Sequence, residues 1–135
     1  MKYRINFINS SYRRYAKAHK KEIINVIWKC YEKGDFVLRD ELAKFERNLA
    51  KFTGVKYAAG ISSGSDALRL SYKALGIKPG DEVITVSHVF IAPIEEIVHW
   101  GAKPVLIDVK EDGLMDETLI EKAITKKTVG IVPVH

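Results

Sequence analysis

A single cysteine, Cys30, is all the thiol chemistry that 135 residues carry. It excludes an intramolecular disulfide and any multi-cysteine metal site, and no metal centre is expected. Long apolar runs are missing too: nothing approaches the roughly 18 residues that cross a bilayer. The opening stretch Met1-Lys2-Tyr3-Arg4-Ile5-Asn6-Phe7 lacks the apolar core of a secretory signal. These absences predict a cytoplasmic protein with no membrane contact. Neither Gly-x-Gly-x-x-Gly nor Gly-x4-Gly-Lys-[Ser/Thr] occurs, so a dinucleotide fingerprint and a P-loop are both set aside.

What is present is enough for one core. The chain is 47% apolar and carries a net charge of +5, placed unevenly. Residues 1–33 hold nine Lys or Arg against Glu22 and Glu32, whereas the remainder is slightly acidic. A basic helix can touch nucleic acid or an acidic lipid surface. No nucleic-acid motif accompanies this one, so a solvated helix face is expected and no nucleic-acid partner.

The periodicity predicts a helix over 11–33, with Tyr12, Tyr15, His19, Ile23, Val26, Ile27 and Cys30 on one stripe. Gly34 stops it. His19 falls on that stripe and is expected to be buried and hydrogen-bonded. A second helix, about Arg39 to Phe52, carries Leu38, Leu42, Phe45, Leu49 and Phe52 at alternating spacings of four and three, a seam expected to pack in the core. Tyr57 to Ile61 is short, apolar and β-prone. Beyond it the pattern alternates: a helix closed by Gly76, a strand Glu82–Val86, a helix through Ile91, Ile94, Ile97 and Val98, a strand Val105–Val109, a short helix Thr118–Ile124, and a β-rich run Val129–Val134. Such alternation implies an α/β fold built from βαβ units with parallel strands. The domain reading is one α/β part, with residues 1–54 as a helical N-terminal segment and 55–135 as the segment that binds a ligand.

The stretch Gly60-Ile61-Ser62-Ser63-Gly64-Ser65-Asp66-Ala67-Leu68 joins a β-prone run to a helix through small residues. The helix is expected to begin near Ala67, with Ala67, Leu68, Ser71, Ala74 and Leu75 on one face at helical spacing. Free amides at a helix start, at the positive end of the dipole, suit an anion such as phosphate. The same residues are also an ordinary N-cap, and Asp66 suits a first turn with or without a ligand. The carboxylate of Asp66 would repel a phosphate, so in a binding site it should point away and offer its N–H. Ser87-His88-Val89-Phe90 forms a second strand-to-helix junction. Ligands in parallel sheets bind outside the carboxyl ends of strands, so both junctions are expected on one rim. There Phe90 has two readings, a cover for a flat ligand or plain core packing.

Several blocks, in order, resemble one family. Gly34-Asp35-Phe36-Val37-Leu38, Phe45-Glu46 and Phe52-Thr53-Gly54-Val55-Lys56-Tyr57 are similar to the opening of the DegT/DnrJ/EryC1/StrS aminotransferases. So are Ser62-Ser63-Gly64-Ser65-Asp66-Ala67-Leu68 and Leu75-Gly76-Ile77-Lys78-Pro79-Gly80-Asp81-Glu82-Val83-Ile84. Gly101-Ala102-Lys103-Pro104-Val105, Asp108 and Thr128-Val129-Gly130-Ile131-Val132-Pro133-Val134-His135 continue the match. The resemblance implies the N-terminal part of the large domain of a fold type I enzyme that uses pyridoxal 5'-phosphate, preceded by two N-terminal helices. It implies that Gly64, Ser65 and Asp66 hold the cofactor phosphate and that Phe90 stacks on the pyridine ring. Ser65 stands where threonine is commoner and keeps the hydroxyl; Val89 and Pro93 stand where threonine is frequent.

The implied reaction moves an amino group, from glutamate, onto a nucleotide-linked keto sugar in polysaccharide or glycoconjugate precursor synthesis. The lysine that forms the Schiff base and the acid that pairs with the pyridine nitrogen fall, in the family, beyond the position of His135. No catalytic residue is therefore assigned within these residues, and activity of the chain alone is not expected. A homodimer or a complementing C-terminal chain is implied as partner. Some relatives replace the lysine with histidine and dehydrate the sugar. A non-catalytic binding or dimerisation module is the reading outside enzymes.

Overall fold

A computed structural model describes residues 7–34 and 36–134 of the chain. Two compact units, Met1–Gly60 and Ile61–His135, make it up.

The first unit is helical: α1 (Phe7–Ala18), α2 (Lys20–Lys33) and α3 (Asp40–Thr53). The single helix expected over 11–33 is thus two helices, divided at His19, where φ is −107° and ψ 15°. Hydrogen bonds continue across the division, from His19 N–H to Tyr15 O and from Ile23 N–H to His19 O. The two N-terminal helices expected before the sheet are therefore three. His19 is half-buried rather than buried: its ring lies against Tyr15, and Nδ1 is 3.1 Å from Glu22 Oε2. An imidazole with a polar partner three residues along its own helix needs no core to receive it. Gly34 and Gly54, at φ 64° and 74°, end α2 and α3 as expected of residues free to adopt the left-handed region.

The seam on α3 departs from its expectation. Ala50 is buried and Leu42 half-buried, but Phe45 and Phe52 are exposed, Phe52 by 88%. A helix face is covered only where chain lies opposite it, and within this unit residues 55–60 return along the Leu42, Glu46 and Ala50 side. There the Gly60 N–H donates to Glu46 Oε1 at 2.7 Å. A Cβ at Gly60 would come within 2.6 Å of Leu42 Cδ1, so the backbone passes close to the helix. Tyr57–Ile61, read as a strand, joins no sheet, and its Gly60 N–H is taken by the Glu46 side chain of α3.

The second unit is the α/β part. Its elements are α4 (Gly64–Ala74), β1 (Glu82–Val86), α5 (Ala92–His99), β2 (Lys103–Ile107), a 3-10 turn Glu117–Leu119 leading into α6 (Ile120–Ala123), and β3 (Thr128–Ile131). The strands form a parallel sheet in the order β2-β1-β3. Every residue of β1 is buried, as a central parallel strand requires. Its side chains alternate between two layers. Val83 packs with Tyr72, Ile77, Ile97 and Ala102 on the α4–α5 side. Ile84 and Val86 pack with Ile107 and Met115 on the side of Leu119 and Ile120.

β1 matches its expected span. β2 begins two residues earlier than predicted because Lys103 pairs with Glu82, and Val109 instead makes an isolated antiparallel bridge to Met115. On α4 the buried residue is Tyr72, beside half-buried Leu68, while Leu75 is exposed. Tyr72 can be buried because its hydroxyl reaches an acceptor, lying 3.4 Å from Pro93 O.

Candidate functional site

Ser63 is the N-cap of α4. Its hydroxyl accepts the Asp66 N–H at 3.1 Å, and its extended backbone turns the chain into the helix. The helix therefore starts at Gly64, three residues before the expected Ala67, and Gly64, Ser65 and Asp66 are its first three residues. Amides in a first turn have no acceptor inside the helix. Those of Gly64 and Ser65 point out of the positive end of an 11-residue helix. A Cβ built on Gly64 would meet no atom within 4 Å, so the space before this turn is open.

The charge of Asp66 is engaged by its neighbours. Its carboxylate accepts hydrogen bonds from the hydroxyls of Ser62 and Ser63, the latter at 3.0 Å, and lies 3.8 Å from Arg69 Nη1. The two serine hydroxyls hold the carboxyl below the usual aspartate range, and Arg69 adds to this. The Asp66 N–H is engaged by Ser63, so the amides directed outward are those of Gly64 and Ser65.

Phe90 lies in the connection from β1 to α5 and is 77% exposed, which removes the core-packing reading. Val89, one residue earlier, is half-buried and supplies the core contact of this loop.

Two sets of contacts place the N-terminus of α4 and the Phe90 loop at the same end of the unit. Arg69 pairs with Glu96, and Lys73 Nζ lies over the Trp100 ring at 5.9 Å, so α4 and α5 run side by side in one direction. At the opposite end, the Gly80 N–H bonds to Gly101 O, and Pro79 packs on Gly101. The helix starts thus share the end where β1 leaves the sheet. The chain leaves β1 toward α5 on one face and leaves the neighbouring β2 toward α6 on the other. Adjacent strands whose exits go to opposite faces open a crevice at their carboxyl ends, the usual ligand position in such sheets.

Arg69 and Glu96 belong to none of the motifs above, yet they pair across the two helices. Glu96 is 2% exposed on the packed side of α5, and its carboxylate receives Arg69 Nε at 2.9 Å and Nη2 at 2.8 Å. This fork lowers the glutamate pKa and raises that of the arginine. A carboxylate directly before Ile97 in an otherwise apolar repeat was the available signal. At the other end of the sheet, buried Glu82 accepts from Thr125 Oγ1 at 2.6 Å and Lys103 Nζ at 3.2 Å, tying the starts of three strands together. No cluster of three or more His, Cys, Asp or Glu suited to a metal occurs among the described residues. Nor is any described helix long and apolar enough to cross a membrane.

Known proteins resemble this chain in sequence and in fold. Residues 17–135 match the sequence profile of the DegT/DnrJ/EryC1/StrS aminotransferase family. The dTDP-3-amino-3,4,6-trideoxy-alpha-D-glucose transaminase of Micromonospora megalomicea subsp. nigra is 34% identical over 126 residues, which are 93% of this chain and 34% of that protein. The crystal structure of S. venezuelae DesV superposes with a TM-score of 0.85 at 38% identity, covering 91% of this chain and 33% of that one. NtdA from Bacillus subtilis, solved with bound cofactor PMP, gives a TM-score of 0.82 at 33% identity, covering 87% of this chain and 27% of that one. The chain spans about a third of the length of the relatives it matches.

Proposed function

Because the chain belongs to the DegT/DnrJ/EryC1/StrS aminotransferase family, we propose that it forms the phosphate-gripping and ring-covering part of a pyridoxal 5'-phosphate-dependent nucleotide-sugar aminotransferase. The single observation that carries this reading is the shared rim: an open helix start at Gly64 and Ser65, with an exposed Phe90 at the same end of the unit.

The residues suit a phosphorylated aromatic cofactor. The amides of Gly64 and Ser65 and the Ser65 hydroxyl would receive the phosphate oxygens, each such bond to a charged oxygen being worth about 1.5–3 kcal/mol. Asp66 serves the turn indirectly, by accepting from the hydroxyls of Ser62 and Ser63. Phe90 would lie over the ring face and keep water from it. The bound cofactor would supply the electron sink for amino transfer, from glutamate to a keto sugar carried on a nucleotide. The amine and acid that this chemistry also needs would come from chain beyond His135, or from a second chain. Exposed Phe45 and Phe52 on α3 favour further polypeptide against this unit, in a homodimer or with a complementing C-terminal chain.

Titration of the chain with pyridoxal 5'-phosphate, followed by absorbance and by quenching of protein fluorescence, tests the reading. Saturable binding that weakens on competition with inorganic phosphate is expected. An absence of binding, both alone and with the downstream polypeptide added, would overturn it.

A further inference from the structure

Glu96 is an expensive residue to bury. An ion pair inside a helix interface is often no more stabilising than apolar side chains of similar size, because two charges must leave water. What the fork provides instead is direction. Two parallel N–H···O bonds from a planar guanidinium admit little sliding or rotation, whereas an apolar contact tolerates both. The fork joins the second turn of α4 to the middle of α5, six residues beyond Phe90. The Arg69 carbonyl is held as well, by the Trp100 Nε1–H at 3.1 Å. The remaining guanidinium nitrogen of Arg69 lies 3.8 Å from the carboxylate of Asp66, within the first turn itself.

We infer that Arg69 and Glu96 are positioning residues that fix the helix start at Gly64–Asp66 relative to the loop bearing Phe90, so that one ligand can engage both. This rests on the cofactor reading above for its consequence, though not for its geometry. Neither side chain is assigned contact with the ligand. The two halves of the site lie on different helices, and among the described residues the side-chain hydrogen bonds joining α4 to α5 and its C-cap are this fork, the Trp100 bond and the longer bond from the Tyr72 hydroxyl to Pro93 O at 3.4 Å. A loose interface would leave each half intact while spoiling their separation.

The test compares the native chain with Glu96→Gln and with the double variant Arg69→Met, Glu96→Met. The double variant replaces the buried pair by apolar side chains and so recovers packing without the fork. Spin labels at Leu70→Cys and Val98→Cys, both exposed positions, in a Cys30→Ser background, report the spread of helix separations. Binding of pyridoxal 5'-phosphate and of inorganic phosphate is measured in parallel.

Both variants are expected to broaden the label distances and to weaken pyridoxal 5'-phosphate by on the order of tenfold. Inorganic phosphate, which needs only the helix start, should change by less than about twofold. The double variant should regain the native melting temperature without regaining affinity. Unchanged label distances in Glu96→Gln, or a double variant that recovers affinity together with stability, would overturn the assignment. If the native chain binds no pyridoxal 5'-phosphate while the label distances still broaden, the cofactor reading falls and the fixing of the helices stands.

Discussion

Ser63 and Asp66 bond to each other twice: the serine hydroxyl accepts the aspartate N–H at 3.1 Å and donates to the aspartate carboxylate at 3.0 Å. This reciprocal pair sets the first turn of α4 and hence which amides face outward. Ser63→Ala removes the acceptor of one orphan amide and one partner of the charge. A loss of about 1 kcal/mol is expected, read as a lowered urea midpoint at unchanged slope.

Phe90 contributes little to the fold because most of its ring is already in water. Phe90→Ala is expected to leave stability within about 0.5 kcal/mol. If the ring covers a cofactor, the same change should weaken pyridoxal 5'-phosphate by about 0.5–1.5 kcal/mol or more. Thermal melts and a cofactor titration on the same sample separate the two effects. A large drop in melting temperature would show a packing role instead.

Glu82 makes acid stability measurable at the other end of the sheet. Thr125 first, and then Lys103, lower its pKa in the folded chain below the ordinary 4.5. The unfolded chain therefore binds the proton more readily. The stabilisation is complete above the ordinary value and is lost as pH falls from there through the lower folded value. Glu82→Gln should flatten this part of the acid limb in urea melts taken between neutral pH and about pH 3. An unchanged limb would refute the role.

Core and surface leucine-like residues should part company by position. Ile84, 0% exposed in the central strand, is expected to cost about 2–5 kcal/mol when replaced by alanine. Leu75→Ala, at the exposed C-cap of α4, should change stability by no more than about 0.5 kcal/mol. Chemical denaturation of both variants checks the contrast.

The alternation of helices and strands after residue 61 was legible because it rests on local periods. Glu82–Val86 reads as an unbroken apolar-rich run for the same reason that it is buried on both faces. The small residues Ser62–Ser65 were legible as a helix entry, and their family resemblance added the cofactor. Three features were not. Tyr57–Ile61 has strand composition, but a strand needs a neighbour, and Glu46 takes the Gly60 N–H first. His19 lies on an apolar stripe, yet Glu22 offers a nearer partner than any core. Leu75 shares a face with Leu68 by helical spacing, yet it is exposed and Tyr72 is the buried residue, because the tyrosine hydroxyl finds an acceptor at Pro93 O.

Composition and order of residues decided the element types, the capped entry into α4 and the family, because caps, turns and helix or strand periods depend on neighbours within a few positions. The alternation of strands and helices also led to the expectation that the start of α4 and Phe90 share one end of the sheet, whereas tertiary structure decided that the backbone before α4 turns to α3 and that Glu96 meets Arg69 across 27 positions of chain. Those last relations depend on how distant segments lie against one another, a matter of long-range packing on which local pattern is silent.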